Sequence, residues 1–493
     1  MLSIESLQIR RNHNWLKSLN SFWGSLLTRS GSTKVTLLIS LLLATGLISD
    51  LQGVGMAPLV GVITKDFGLT TNEITWVLNA LLIGGAIGVG LTSRLGDIKG
   101  HRKILLWLSF CGLAGSLLAA VAFNAWMLVI GRFLQGLAVA TPLAWGLLRP
   151  MAKSSQIRLA ASLLSIVICV FTPVSLVLGG GLLYLGYGWQ GVFWILAALY
   201  VIMILLAFVS PEAPVSSRSK DPLDIVGTVG LGIWLTGFLL AISYASKLGF
   251  LSFLPLVLFG SSLALFAAWV VQQRNHSHPL MDFTNVDMRQ MLGGYLGLIG
   301  SVSAAGALYI LLPAMLIAKP ESGHGFGLTT FEASLPLLGI LPGAYVAPML
   351  LRKALVVYGP KLSMAVLGFI CAISFVGLAY FMTELWHAYF WVVVYGAGVS
   401  GCYAAGWAML ASSTRADNTG ILIAGMTVTQ KIVGAIAAAL VLMALNPGAG
   451  PASTEVFQMS FLAVAIACVA VLVVLALVVV PSQLLDRHAA DSN

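Results

Sequence analysis

Apolar runs of about 20 residues, long enough to cross roughly 30 Å of hydrocarbon as helices, recur from Val35 to Val480. Short polar breaks separate about fourteen of them. Of the 493 residues, 59% are hydrophobic and only 9% are charged, whereas a soluble domain carries roughly 25% charged residues. The pattern predicts an all-α polytopic membrane protein with about 14 transmembrane helices embedded in a lipid bilayer.

The net charge of +9 would suit nucleic acid if the basic residues were clustered, but their positions trace a topology instead. With the N-terminus placed in the cytoplasm, 21 of the 26 basic residues fall on inner segments, among them Arg10, Arg94, Arg149, Arg218, Arg352 and Arg487. Lys65, Lys247 and Lys319 fall on outer loops, and Arg132 and Lys431 lie within spans. This positive-inside skew predicts a multi-pass protein of the plasma (inner) membrane with both termini cytoplasmic, and no nucleic-acid partner. Cys111, Cys169, Cys371, Cys402 and Cys468 all sit inside apolar runs without CxxC spacing, so they read as small core residues and no metal site is expected. The first thirty residues hold no apolar core followed by a cleavage site, so no removable signal peptide is expected. Instead Trp15, Leu19, Phe22, Trp23 and Leu26 recur at helical spacing, which fits either a short amphipathic helix on the cytoplasmic face or a disordered tail.

Residues 67–73 read F-G-L-T-T-N-E, and residues 326–332 read F-G-L-T-T-F-E, 259 positions later. Both end in T-x-x-E, the capping box that satisfies orphan amides at a helix start, here Thr70 with Glu73 and Thr329 with Glu332. Each copy then begins a span from the outer surface, and Glu73 and Glu332 read as caps, not proton carriers. The register persists, because Arg94, Gly100 and Arg102 map onto Lys353, Gly359 and Lys361. Helices 1–6 are therefore duplicated in helices 9–14, with helices 7 and 8 inserted. The even offset makes this a parallel repeat about an axis along the membrane normal. The predicted organisation is a cytoplasmic amphipathic segment (1–34), a six-helix bundle (35–210), a linker with two inserted helices (211–275), a second six-helix bundle (276–480) and a cytoplasmic tail (481–493). Two such bundles facing across a cavity are a transporter plan, with the substrate near the bilayer midplane.

Between helices 2 and 3 stands S-R-L-G-D-I-K-G-H-R-K, residues 93–103. It resembles the loop motif of the major facilitator superfamily, G-x-L-x-D-R-x-G-R-R. Asp97, Gly100 and Arg102 match, while Ser93 and Ile98 replace its first Gly and the Arg after Asp. The resemblance implies a conformational latch in which Asp97 meets a helix N-terminus of the opposite half, here near residues 418–420, where the helix dipole favours a carboxylate. Helix 4 carries G-R-F-L-Q-G (131–136), which resembles the family's R-x-x-Q-G motif and implies that Arg132 takes part in proton coupling. A guanidinium inside a span is a functional candidate in its own right. Its counterpart is expected in G-A-G-V-S-G (396–401), with Ala397 at the Arg132 position. Asp50 is the acid well inside a span. At 1.5 Å per residue it lies about 12 Å deep and Arg132 about 9 Å deep, so the two are expected to form either a coupling pair or a static ion pair.

Helix 5 reads T-P-V-S-L-V-L-G-G-G-L-L (172–183). Pro173, Gly179, Gly180 and Gly181 follow the family's antiporter motif, but Leu176 and Val177 stand where its Gly-Pro falls. Helix 13 carries G-M-T-V-T-Q-K-I-V-G-A (425–435), with Lys431 at a basic position of the fourteen-helix branch. At about 16 Å depth, Lys431 either holds an anionic substrate group or pairs internally. Gln135, Trp145, Tyr309, Gln430 and Lys431 are the expected cavity residues.

Together these motifs resemble the fourteen-helix drug:proton antiporter branch of the superfamily. The resemblance implies a monomeric exporter of amphiphilic drugs or toxic compounds, driven by the proton gradient without a bound cofactor. The alternative is a carrier dedicated to one metabolite, peptide or lipid-like substrate. A non-transporting membrane sensor would need an effector domain that is not visible. An enzyme is not expected, since no metal-ligand cluster, G-x-S-x-G or P-loop occurs.

Overall fold

The computed structural model describes residues 33–69, 71–212, 224–276, 288–320, 325–412 and 453–478, with Gly323 and eleven positions between 426 and 445. The proposed amphipathic segment, Thr70, residues 418–420 and Lys431 lie outside the described residues. All regular structure among the described residues is helical, as hydrocarbon requires of segments that must satisfy their own backbone groups. Nine described helical stretches are long and apolar enough to cross a membrane.

The first half comprises α1 (Thr33–Val54), α2 (Val60–Asp66), α3 (Thr71–Lys99), α4 (His101–Ala120), α5 (Ala125–Leu137), α6 (Thr141–Leu148), α7 (Ser154–Tyr184) and α8 (Gln190–Val209). Gly100 separates α3 from α4 with a φ of 93°, a conformation that only glycine adopts freely. One span is split into α5 and α6 at residues 138–140, with Pro142 in the first turn of α6, where its missing amide costs nothing. These helices enclose one core containing Leu38, Leu51, Leu143, Trp189, Phe193 and Tyr200.

Two helices follow, α9 (Ile225–Leu248) and α10 (Phe253–Asn275), with α9 lying along α3. Their open ends are joined by the buried carboxylate of Asp224. It accepts from the Gly227 amide (2.7 Å), from Gln272 (3.2 Å) and from Gln273 (2.6 Å), while His276 Nε2 lies 3.9 Å away. Trp269 adds an indole N–H to the Gly227 carbonyl at 2.7 Å.

The second half comprises α11 (Met288–Ile317), α12 (Thr330–Ser334), α13 (Ile340–Tyr380), α14 (Leu385–Ser412) and α15 (Thr454–Val478), with helical fragments between 426 and 445. Its core holds Leu311, Leu337, Phe375, Tyr395 and Phe461. Helix α13 folds back on itself. Ile340 lies against Gly396, and Leu367 and Cys371 lie against Gly398. A straight helix would hold Ile340 and Cys371 about 46 Å apart, so the chain reverses between them. The two spans expected here thus run on without a non-helical break.

Large apolar side chains such as Trp107, Trp126, Trp194 and Trp386 are exposed on the outside. That surface suits a bilayer and not water.

Candidate functional site

Asp50 lies in α1 with its side chain half-buried, and its Oδ2 accepts a hydrogen bond from Thr172 Oγ1 of α7 at 3.0 Å. Thr172 also lies 2.7 Å from the Ile168 carbonyl one turn earlier. Two residues beyond Asp50, Gln52 enters a different network. Its carbonyl accepts from Arg132 Nη1 at 2.7 Å, and its side-chain oxygen accepts from the Tyr200 hydroxyl at 3.1 Å. Arg132 is 1% exposed and also donates to Gln135 Oε1 at 3.1 Å, while Gln135 donates to Ser116 at 3.0 Å.

The expected Asp50–Arg132 ion pair is therefore corrected. Equal depth brings Arg132 to α1, but two residues on a helix point about 200° apart. Gln52 faces α5 and α8 inside the bundle, and Asp50 faces α7. Arg132 is held by neutral acceptors, and its Nε has no partner.

The cavity expectation for Gln135 and Trp145 is corrected as well. Gln135 is fully buried between α4 and α5, and Trp145 is 4% exposed in the first core, beneath the Arg149 guanidinium at 6.0 Å. Tyr309 is half-buried and packs on the second core. Gln430 donates to the Tyr403 hydroxyl at 3.0 Å.

The latch residues divide. Asp97 belongs to α3, and its side chain is outside the described set. Arg102 instead donates from Nε to the Ala207 carbonyl at 3.0 Å and from Nη2 to the Phe208 carbonyl. It caps the C-terminus of α8 within its own half, where the helix dipole favours a cation. A Cβ on Gly100 would stand 2.8 Å from Glu212 Oε1 beyond the same helix end.

Of the helix motif, Gly180 and Gly181 lie on the seam between the halves, while Pro173 stands inside α7 and Gly179 packs within the first half. A Cβ on Gly179 would meet the Gly55 carbonyl of the first half at 2.5 Å. Cβ atoms on Gly180 and Gly181 would meet Phe331 of the second half at 3.4 Å each. The Tyr184 and Phe331 rings stack with centroids 5.4 Å apart. Leu176, one of the departures from the antiporter motif, is seated in the second core. Phe331 is the one letter by which the two seven-residue copies differ. At the same copy, Thr329 and Glu332 form a reciprocal capping box, with the Thr329 amide donating to Glu332 at 2.9 Å and the Glu332 amide to Thr329 Oγ1 at 3.3 Å. Those bonds hold the Glu332 carboxyl below the usual range. Glu73 occupies the first turn of α3.

The repeat also shows which residue matches Arg132. A Cβ on Gly84 would collide with the Phe133 carbonyl, and one on Gly343 with the Val393 carbonyl. A Cβ on Gly136 would meet the Leu81 carbonyl as one on Gly396 meets that of Ile340. Gly396 thus takes the place of Gly136, the Arg132 position falls on Val392, and the expected match with Ala397 is out of register by five residues.

Thr172, Gln52, Tyr200 and Asp224 were not singled out by sequence reasoning. Thr172 could have been found as a hydroxyl directly before a helix-interior proline, and Gln52 as a second polar residue beside an intramembrane acid. Tyr200 and Asp224 carry no such mark. Chemically, a half-buried carboxyl with a hydroxyl neighbour can hold or release a proton in place. A guanidinium sealed among neutral acceptors cannot do so.

Two duplicated helical bundles meeting along α7, with a carboxyl in one apolar helix bonded to that helix, define a multi-pass helical membrane protein. The chain belongs to the Major Facilitator Superfamily, whose family model matches residues 42–438. It is 30% identical over 270 residues to the lincomycin resistance protein of Streptomyces lincolnensis, covering 52% of this chain and 53% of that one. The matched stretch thus spans about half that relative's length. It is 24% identical over 408 residues to the tetracenomycin C resistance and export protein of Streptomyces glaucescens, covering 78% and 72% of the two. The fold is also that of the human organic anion transporter MFSD10 (TETRAN), with a TM-score of 0.58, 13% identity, and coverage of 90% of this chain and 100% of that one.

Proposed function

We propose that the chain is a proton-coupled exporter of amphiphilic drugs or toxic small molecules, of the fourteen-helix drug:proton antiporter branch, working by alternating access. It acts as a monomer in the plasma (inner) membrane with both termini cytoplasmic, and the proton gradient is its energy source. The reading draws on the resistance and export names of the two streptomycete relatives. The observation that carries it is Asp50, a half-buried intramembrane carboxyl bonded to α7, the helix that touches the second half. Loss of a proton from Asp50 would accompany substrate entry, and protons returning inward would reset the cycle.

Adding tetraphenylphosphonium, a lipophilic cation, to the purified full-length protein in detergent should release protons from wild type and none from Asp50→Asn. Equal release from both would sink the coupling role of Asp50. Binding without release from either would favour the second reading, a carrier dedicated to one metabolite, peptide or lipid-like substrate. Leu176, seated in the second core, and Val177 beside it in sequence, in place of the antiporter Gly-Pro, are the residues that favour it.

A further inference from the structure

We propose that Thr172 is the positioning residue through which α7 reads the protonation state of Asp50; this rests on the reading of Asp50 as the coupling carboxyl. A hydroxyl carries one proton and two lone pairs. Thr172 Oγ1 has two acceptors in reach, Asp50 Oδ2 at 3.0 Å and the Ile168 carbonyl at 2.7 Å, so it donates to one at a time. With Asp50 ionised, the hydroxyl proton goes to the carboxylate. With Asp50 protonated, the carboxyl O–H donates to Thr172 Oγ1, and the hydroxyl turns its own proton to Ile168. No covalent bond at Thr172 is made or broken.

The alternative acceptor lies at the weakest turn of α7. Pro173 has no amide to give the carbonyl four residues earlier, and a threonine bonded back to the i−4 carbonyl bends its helix. Beyond this turn α7 carries Leu176 in the second core, and Gly180, Gly181 and Tyr184 against Phe331. One proton at Asp50 thus selects between two shapes of the helix that joins the halves. Five other titratable groups described on the surrounding elements have contacts of their own. Arg132 and Tyr200 bond to Gln52, and Arg149 lies over Trp145. Tyr184 stacks on Phe331, and Tyr295 packs in the cluster that Ile168 joins.

The test titrates the infrared band of protonated carboxyls in the full-length, ligand-free protein, taking as the Asp50 signal the part missing from Asp50→Asn. Thr172→Val keeps the branched shape without the hydroxyl. It should raise the midpoint of that signal by about one pH unit, a tenfold change in proton affinity. Thr172→Ser should restore it, a rescue that a purely packing role would not produce. If the valine variant does not fold, Thr172→Ala against Thr172→Ser makes the same comparison. A midpoint that no Thr172 variant moves overturns the proposal. The proton-release assay keeps the two ideas apart. Undiminished release from Asp50→Asn overturns the coupling reading and this inference with it. Release lost in Asp50→Asn, with the band unmoved by Thr172 variants, overturns the role of Thr172 alone.

Discussion

In the first bundle, the α3–α5 crossing at Gly84 and Gly136 stands beside Arg132, Gln135 and Ser116; in the second, the α13–α14 crossing at Gly343 and Gly396 stands beside Val392, Tyr395 and Phe375. The helix backbones approach too closely in both for a Cβ at either glycine. What surrounds them is opposite. The hydrogen bond from Gln135 to Ser116 is replaced by an edge-to-face contact of Tyr395 with Phe375, whose centroids are 5.6 Å apart, and Phe461 adds a third ring. Val392, the counterpart of Arg132, is fully buried among apolar neighbours. Close packing and a polar interior are therefore separable properties of this repeat. The crossing needs its glycines and tolerates either filling, so at this crossing the buried guanidinium belongs to the first half.

Exchanging the two fillings should give the largest effects. Val392→Arg would push a guanidinium among Phe375, Tyr395 and Phe461, at an insertion cost of about 2.5–3.5 kcal/mol, and folded protein should vanish from size-exclusion profiles. The reverse change, Arg132→Met, would leave the Gln52 carbonyl and Gln135 oxygen without their donor, at about 1–3 kcal/mol each. It should lower the thermal midpoint, and a midpoint equal to wild type would show that the network does not stabilise the bundle. Next comes the seam. Phe331→Asn makes the second seven-residue copy identical to the first and removes the Tyr184 stack, worth about 0.5–1.5 kcal/mol. A cysteine placed at Gly181 should then label faster with a membrane-impermeant thiol reagent. An unchanged rate would show that Phe331 does not shield Gly181.

The cap gives the smallest effect. Glu332 titrates below the ordinary carboxylate range because Thr329 bonds to its ionised form. That contribution is present above the unfolded-state pKa and is lost as pH falls through the folded one. Thr329→Ala should lower the thermal midpoint slightly at neutral pH and by less at about pH 3, below the ordinary glutamate pKa. An equal shift at both pH values would show that the carboxylate adds nothing to the cap.

Much of the architecture is legible in the letters because hydrophobic span length and an internal repeat are one-dimensional signals. The seven-letter copies place Thr329 and Glu332 at a helix start, where the capping bonds lie. The intramembrane Arg132 is legible as unusual from its charge alone. Its partner is not, since depth along a helix is readable from the sequence while direction around it depends on packing. That is why Gln52 and not Asp50 receives it. The register of the second half slips for a similar reason. Glycine pairs recur on α14, and only the contacts of Gly396 with Ile340 and of Gly343 with Val393 show which pair corresponds. Arg102 reaches carbonyls 105 and 106 positions away, a distance over which no local pattern operates.

The Asp224 clamp bears on the order of assembly during synthesis. Its donors, the Gly227 amide, Gln272 and Gln273, and its neighbour His276, all belong to the segment that emerges with it. The α9–α10 pair can therefore enter lipid with its buried carboxylate already satisfied, before any of the second bundle has been translated. It then needs only to slide sideways onto α3. A polar group usually ties a segment to its surroundings; this one makes the inserted pair a passenger, able to join the molecule without waiting for it to be finished.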